Sequence, residues 1–206
     1  MIMKTIFRQN QLYTFLLYCN DVELEKVILD CGAGGRTPPL SIFSEYGYKT
    51  HGIEKSTEQI QRAKNFEEEN NLNLGIIEGD MKELPFKDES ISFVYSYNSI
   101  FHMSKEEIGT VIKEIYRVLP KGGLAFVNFP SEKDFRATMG KKVGEGEYFQ
   151  EEHGEEIMHS YFGENEAEKY FEGFKVIYKE HRIRDGYSGP DTKVTLGFID
   201  YIIEKV

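Results

Sequence analysis

The sequence predicts an α/β fold: a mostly parallel sheet with helices on both faces and one antiparallel strand near its edge. Short apolar runs alternate with longer amphipathic stretches over most of the 206 residues, which is typical of parallel strands joined by helices. The last two apolar runs are joined only by residues 184–193, which contain Gly186, Gly189 and Pro190 and suit no helix. Strands joined without a crossover helix should pair antiparallel.

The predicted elements follow one another along the chain in this alternating order. We predict strands at residues 26–30, 49–53, 74–78, 91–97, 124–129, 174–183 and 194–203. We predict helices at residues 7–18, 38–46, 56–70 and 104–119. Two helix starts carry the capping-box spacing, because Ser56 and Ser104 are followed three residues later by Gln59 and Glu107.

Residues 130–164 interrupt the alternation with a segment rich in glycine, charge and aromatic side chains. We expect a long irregular excursion, which is often a lid or a binding loop. The alternative is an exposed insertion with no ligand role. Aromatic and imidazole side chains favour the lid: Tyr148, Phe149, His153, His159 and Tyr161. The prediction is therefore a single domain over residues 1–206, with an N-terminal helix and a lid-like insertion.

Charge and composition argue against several classes of function. The 25 Lys and Arg residues against 35 Asp and Glu give a formal net charge of −10 at pH 7, which disfavours a nucleic-acid partner. Cys19 and Cys31 form no CxxC pair, so we expect no metal site. No apolar run reaches the roughly 18 residues of a membrane span, and Met1–Arg8 lacks the apolar core of a secretion signal. We therefore expect a cytoplasmic protein with no membrane partner.

A glycine-rich turn follows the first predicted strand. Gly32 and Gly34 come directly after Asp30, and glycine lets the backbone turn sharply and approach a ligand closely. The alternative is a tight connection between strand and helix. A dinucleotide fingerprint starting at Gly32 would need glycine at position 37, where Thr37 stands, so that fingerprint fails.

Carboxylates stand at the ends of the second and third predicted strands. Glu54 lies 24 residues after Asp30, where a carboxylate can accept hydrogen bonds from both ribose hydroxyls of a nucleoside. The alternative is a helix-start carboxylate, since the helix begins at Ser56. Asp80 follows the third strand. Open α/β sheets bind ligands at these carboxyl ends, so a nucleoside site is the favoured interpretation.

Taken in order, these segments resemble a known family. VILDCGAGG, GIEKS, EGDMKELPFKDESISFVYS, EIYRVLPKGG and LAFVNF are similar to the class I S-adenosylmethionine-dependent methyltransferases, in the small-molecule, type 11-like group. The resemblance is strong over residues 27–129 and weaker over a tail with a helix near residues 165–171. It implies a Rossmann-like, three-layer α/β/α sandwich whose seven-stranded, mostly parallel sheet has one antiparallel strand.

The resemblance also implies a cofactor, S-adenosyl-L-methionine, and residues that hold it. Asp30, Gly32 and Gly34 match the motif beside the methionine part of the cofactor. Glu54 matches the ribose-binding acid, and Lys55 follows it at the adenosine. Asp80 matches the acceptor for the adenine amino group, Met81 matches the side chain beside the adenine ring, and Tyr97 and Asn98 match the motif that faces the reaction centre. Arg36 departs from the pattern, because the family usually has a third glycine there.

The predicted chemistry needs few catalytic groups. The transferred methyl sits on a positively charged sulfur, so alignment and exclusion of water are the main tasks, and a general base is needed only if the acceptor must lose a proton. His102 is the first candidate for that base, although a helix-entry histidine bonded to backbone is the favoured alternative. His159 and Tyr161 could line the acceptor pocket, and Tyr13 could close it or pack on the sheet.

Three functions follow from these residues. The first is methyl transfer from S-adenosylmethionine to a small-molecule acceptor. The second is a nicotinamide-dependent oxidoreductase on a Rossmann-like fold, against which Thr37 and the antiparallel final pair argue. The third is a non-catalytic module that binds S-adenosylmethionine. This possibility remains because Arg36 replaces the family's usual third glycine.

Overall fold

The computed structural model describes residue 7 and residues 9–152, 154–189 and 191–206. In these residues the strands are β1 (Val27–Cys31), β2 (Lys49–Glu54), β3 (Ile76–Glu78), β4 (Phe93–Ser96), β5 (Leu124–Pro130), β6 (Lys141–Gly144), β7 (Glu147–Glu152), β8 (Glu155–Ser160), β9 (Phe174–Tyr187) and β10 (Lys193–Lys205). The helices are α1 (Asn10–Asn20), α2 (Leu40–Glu45), α3 (Thr57–Asn70), α4 (Lys105–Val118) and a 3-10 helix (Glu166–Tyr170).

Seven strands form the main sheet in the order β3-β2-β1-β4-β5-β10-β9. Strands β1 to β5 pair parallel, whereas β10 runs antiparallel to both β5 and β9. The structure thus confirms the mostly parallel sheet with one antiparallel strand near its edge. The β9–β10 hairpin is longer than predicted, because β9 extends to Tyr187 and β10 begins at Lys193, which shortens the connecting turn. Pro190, which we assigned to that turn, lies outside the described residues.

Helices cover both faces of this sheet, which confirms the three-layer arrangement. Along β1, Ile28 packs with α1, α2 and α3 on one face, whereas Leu29 packs with α4 and the 3-10 helix on the other. Burial on both faces explains why these strands are near-continuous apolar runs. In the described part of the chain, no helix has both the length and the apolar character that a membrane span requires.

The two predicted capping boxes differ in outcome. At α4 the box is complete, because Ser104 Oγ accepts the Glu107 N–H at 3.3 Å and the Glu107 carboxylate accepts the Ser104 N–H at 3.0 Å. At α3, Ser56 Oγ accepts the Gln59 N–H at 3.3 Å. The Ser56 N–H donates instead to Glu54, at 2.8 Å. The full box at Ser56 was therefore a wrong prediction, because Glu54 already occupies the position of the returning side chain.

The insertion is a small antiparallel sheet with strand order β6-β7-β8, so the prediction of an irregular excursion was wrong. Two glycines with positive φ, Gly146 and Gly154, allow the chain to turn between its strands. The edge strand β8 docks on the loop after β4, where the Ser160 N–H donates to the Phe101 carbonyl at 3.0 Å and Ser160 Oγ to the Met103 carbonyl at 2.7 Å. This docking places the insertion against the carboxyl edge of the main sheet.

Candidate functional site

A cleft of about 490 Å³ opens at the carboxyl ends of β1, β2 and β3. Its remaining walls are the loop after β4, the start of α4 and the insertion sheet. The lining residues are Gly32, Ile53, Glu54, Lys55, Gly79, Asp80, Met81, Lys82, Ser99, His102, Met103, Glu107, Phe149 and Met158. The volume is within the usual range for a small-ligand site, about 300–1,000 Å³.

The glycine turn forms one wall of the cleft because side chains are excluded there. Gly32 has φ +105°, and a Cβ on it would lie 2.2 Å from Ser99 Oγ. A Cβ on Gly34 would lie 2.7 Å from Glu54 Oε2. Arg36 is exposed, and the neighbouring Gly35 adopts φ +110°. The arginine at the third-glycine position therefore points to solvent and does not fill the cleft.

Glu54 has the helix-start role that the sequence offered as an alternative, and it also faces the cleft. Its Oε2 accepts the Gly34 N–H at 3.0 Å, and its Oε1 accepts the N–H groups of Lys55 and Ser56 at 2.9 and 2.8 Å. The carboxylate therefore ties the glycine turn to the start of α3. It also lines the cleft, where it can accept hydroxyl donors.

Opposite charges surround Asp80 at the rim. Its Oδ2 lies 3.7 Å from Lys55 Nζ and 3.8 Å from Lys82 Nζ. Lys82 also donates to Glu107 Oε1 at 2.6 Å, and this hydrogen bond lowers the pKa of Glu107 to about 2. Sequence reasoning assigned Glu107 only to a helix cap and missed Lys82, although both face the cleft.

Asp30 does not reach the cleft. It is 2% exposed and stands beside Tyr95 in the parallel β1–β4 pairing. Burial raises the pKa of its carboxyl to about 8, an effect that the Tyr95 hydroxyl partly offsets. The resemblance implied contact with the methionine part of the cofactor, but the structure places this side chain in the core under the glycine turn.

Tyr97 and Asn98 lie beyond the cleft lining, in a second polar cluster. Asn98 has φ 55°, its N–H donates to Asn128 Oδ1 at 2.8 Å, and Asn128 Nδ2 donates to Asn98 Oδ1 at 2.8 Å. Tyr97 Oη donates to Gln11 on α1 at 3.4 Å. A left-handed conformation at a residue other than glycine often marks a functional turn. Asn128, on β5, was missed by sequence reasoning.

His102 lines the cleft, and its ring centroid lies 4.6 Å from that of His159. Among the described residues, its buried Nδ1 finds no hydrogen-bond partner. Burial lowers the pKa of His102 to about 4, so the ring is neutral at pH 7. A backbone hydrogen bond with Asn98 acts on this pKa in the opposite direction, so the favoured alternative of a ring bonded to backbone keeps its support.

The three residues predicted for the acceptor pocket lie outside the cleft lining. His159 is buried behind His102, and Tyr161 is buried with its hydroxyl donating to Gln150 at 3.0 Å. Tyr13 is 38% exposed on α1. His153 lies outside the described residues. The insertion instead contributes Phe149 and Met158, cross-strand partners of β7 and β8.

Comparison with known sequences agrees with this architecture. Residues 29–127 match the family model described as a methyltransferase domain. Sterol 24-C-methyltransferase of Pneumocystis carinii is 34% identical over 166 residues, which cover 75% of this chain and 41% of that protein. Squalene methyltransferase 1 of Botryococcus braunii is 32% identical over 122 residues, covering 56% and 31%. The chain therefore spans about two fifths or less of the length of these curated relatives.

Solved structures share the fold along nearly the whole chain. A SAM-dependent methyltransferase from Methanosarcina mazei superposes with a TM-score of 0.73 at 22% identity, covering 92% of this chain and 97% of that one. An S-adenosylmethionine-dependent methyltransferase from Clostridium acetobutylicum gives a TM-score of 0.68 at 14% identity, covering 97% and 92%. With the strand order, these similarities show that the chain has the fold of S-adenosylmethionine-dependent methyltransferases and that its residues 29–127 resemble a methyltransferase domain.

Proposed function

We propose that this chain transfers a methyl group from S-adenosylmethionine to a small-molecule acceptor. One observation carries the proposal: residues from three consecutive strand ends, Gly32, Glu54, Asp80 and Met81, meet in a single cleft of about 490 Å³. Open α/β sheets bind nucleosides at this edge. Relatives named as sterol and squalene methyltransferases support the same chemistry.

The cleft suits this cofactor in shape and charge. The space that a Cβ on Gly32 would fill gives the backbone close access to a ligand. Glu54 would accept the ribose hydroxyls and Asp80 the adenine amino group, with Met81 beside the ring. When bound, the cofactor supplies an activated methyl on a cationic sulfur. The carboxylates of Glu54, Asp80 and Glu107 favour a ligand that carries positive charge.

The acceptor side of the cleft is more apolar. Met103, Phe149 and Met158 form a wall beside His102. We assign to this wall a small acceptor with an apolar body, in keeping with relatives named for a sterol and for squalene. The net charge of −10 argues against a nucleic-acid partner. We also propose that the protein is cytoplasmic.

A base at His102 belongs to this proposal only for acceptors that must lose a proton. The ring lies at the cleft and its Nδ1 is unpartnered within the described part of the chain. Replacing His102 with Asn should then lower kcat for a hydroxyl acceptor, which must lose a proton, and leave a tertiary amine acceptor, which has no proton to lose, unaffected. Equal loss for both acceptors would contradict a role as base.

Binding and transfer need separate measurements, because the fold also occurs in the [4+2]-cyclase SpnF, with a TM-score of 0.65 at 17% identity. Calorimetric titration with S-adenosylmethionine and with NADH tests the cofactor. Tight NADH binding without S-adenosylmethionine binding would overturn the proposal in favour of an oxidoreductase. Incubation with methyl-labelled cofactor and a panel of alkene, hydroxyl, amine and thiol acceptors tests transfer. Binding with no labelled product from any of them would favour a non-catalytic module.

A further inference from the structure

A buried histidine in the insertion faces a carboxylate. His159 is 0% exposed, and its Nδ1 lies 3.2 Å from the Ile157 carbonyl oxygen. A carbonyl only accepts hydrogen bonds, so Nδ1 carries the proton and Nε2 presents its lone pair. That lone pair lies 3.3 Å from Glu152 Oε1, and within the described ranges Nε2 has no hydrogen-bond partner. The lone pair of Nε2 and the negatively charged oxygen repel each other at this distance, and a cation bound by both atoms would remove the repulsion.

His102 brings a third donor to the same place. One ligand atom from each of His102, Glu152 and His159 lies within 4.8 Å of the other two. Nitrogen and oxygen ligands about 2.1 Å from a tetrahedral metal ion stand about 3.4 Å apart. The pair from His159 and Glu152 already has this spacing, at 3.3 Å, and the ligand atom of His102 lies within 4.8 Å of both.

We infer that His102, Glu152 and His159 bind a divalent transition-metal ion of the zinc type at the wall of the cleft. Two imidazoles and one carboxylate suit zinc, and three protein ligands leave a fourth position for an oxygen or sulfur atom of a ligand. The Nδ1 contact of His159 with a backbone carbonyl is the outer-shell bond that orients metal-binding histidines. The sequence predicted no metal site because only the two cysteines were considered as ligands. The ligands proposed here are histidine and glutamate side chains that come from two distant segments.

Arg136 competes with the proposed metal ion for the Glu152 carboxylate. Its Nη1 donates to Glu152 Oε1 at 2.9 Å, so it shares the oxygen nearest to His159. The guanidinium is partly exposed and can swing away. Its positive charge opposes a bound cation, and removal of this charge should tighten metal binding.

The metal and the base are mutually exclusive roles for His102. A nitrogen that donates its lone pair to a metal ion cannot take a proton from the acceptor. The metal proposal does not require methyl transfer, so it can be tested by metal binding alone, in the full chain.

The experiment is metal titration of chelator-stripped protein. Co²⁺ should bind one equivalent and give visible absorption bands of a tetrahedral site, and Zn²⁺ should displace it, whereas Mg²⁺ should not. Glu152→Gln and His159→Gln should each weaken Zn²⁺ binding by about 100-fold or more, beyond the loss expected for an outer-shell residue. The matched control Glu151→Gln, an exposed neighbour on β7, should leave Zn²⁺ affinity unchanged. Arg136→Gln should increase it.

Two results would overturn the inference. One is a Zn²⁺ affinity that Glu152→Gln leaves equal to that of the unmodified chain. The other is an unchanged affinity in Arg136→Gln together with a His159 imidazole that NMR shows doubly protonated, which would establish a metal-free ion pair. Circular dichroism of each variant verifies folding, and Glu152, being partly exposed, can be replaced with less risk than His159. S-adenosylmethionine titration of the stripped protein reports separately on the cofactor cleft.

Discussion

The cleft and the insertion sheet share a wall, but the chain specifies them differently. At the cleft, Gly32 follows β1, Glu54 ends β2 and Asp80 lies two residues after β3, so their place at the sheet edge follows from the strands themselves. In the insertion, whether a side chain faces the cleft depends on pairing. Met158 lines the cleft, whereas its neighbour His159 turns toward His102 and Glu152.

The difference teaches that local signals locate a site only when the element before it is rigid and its direction is known. Parallel strands in one sheet have a common direction, so their carboxyl ends coincide. A three-stranded antiparallel sheet has two faces and several registers, and a shift of one residue exchanges the faces. The predictions below test the two regions separately.

The largest effect is expected at the glycine turn. In Gly32→Ala, a left-handed φ and a Cβ 2.2 Å from Ser99 Oγ should together lower the free energy of unfolding by about 2–4 kcal/mol and abolish cofactor binding. Gly122→Ala is the matched control, because its φ is +79° with no atom within 4 Å in the described structure. It should cost only about 1 kcal/mol. Urea denaturation measures both, and equal losses would contradict the close packing of the turn.

Asp30→Asn tests whether the motif carboxyl acts on the cofactor or in the core. Since the pKa of Asp30 is raised from 3.8 to about 8, its stability contribution is present below pH 4 and lost as pH rises toward 8. The unmodified chain should lose on the order of 2–4 kcal/mol between pH 5 and pH 9, and Asp30→Asn should lose less. Denaturation across this range measures the slope, with exposed Asp21→Asn as the control. Parallel slopes for all three proteins would contradict the buried neutral carboxyl.

Glu54→Ala should weaken S-adenosylmethionine binding by about 1.5–3 kcal/mol if the carboxylate bonds both ribose hydroxyls. The same change removes the acceptor of three backbone N–H groups, so stability should also fall. Glu54→Gln keeps one acceptor oxygen for some of these N–H groups. It should therefore separate the loss of stability from the loss of cofactor binding. Calorimetry measures binding, and an affinity unchanged in both variants would refute the ribose assignment.

The smallest effect is expected in the insertion. Tyr161→Phe removes the hydrogen bond to Gln150 and should cost about 1 kcal/mol of stability. Because Tyr161 packs with Tyr148 and Ala137 outside the cleft lining, KM for the acceptor should not change. Phe149→Ala is the comparison variant at the cleft wall and should raise KM. A raised KM in Tyr161→Phe alone would restore its predicted place in the acceptor pocket.

The sequence alone determined the main sheet, its one reversed strand and the glycine and acidic residues at the strand ends. These features depend on short-range rules: apolar periodicity, helix caps and the absence of a crossover helix before β10. Even here Asp30 was misplaced relative to the cleft, because alternation along β1 turns its side chain into the core.

Only the tertiary structure decided what the insertion contributes. It showed that β6, β7 and β8 form a sheet, that Phe149 and Met158 complete the cleft and that His102, Glu152 and His159 converge. The physical reason is that these contacts join segments far apart in sequence. Their geometry is fixed by strand register and by the docking of β8 on the Phe101–Met103 loop, and neither is encoded in any local pattern.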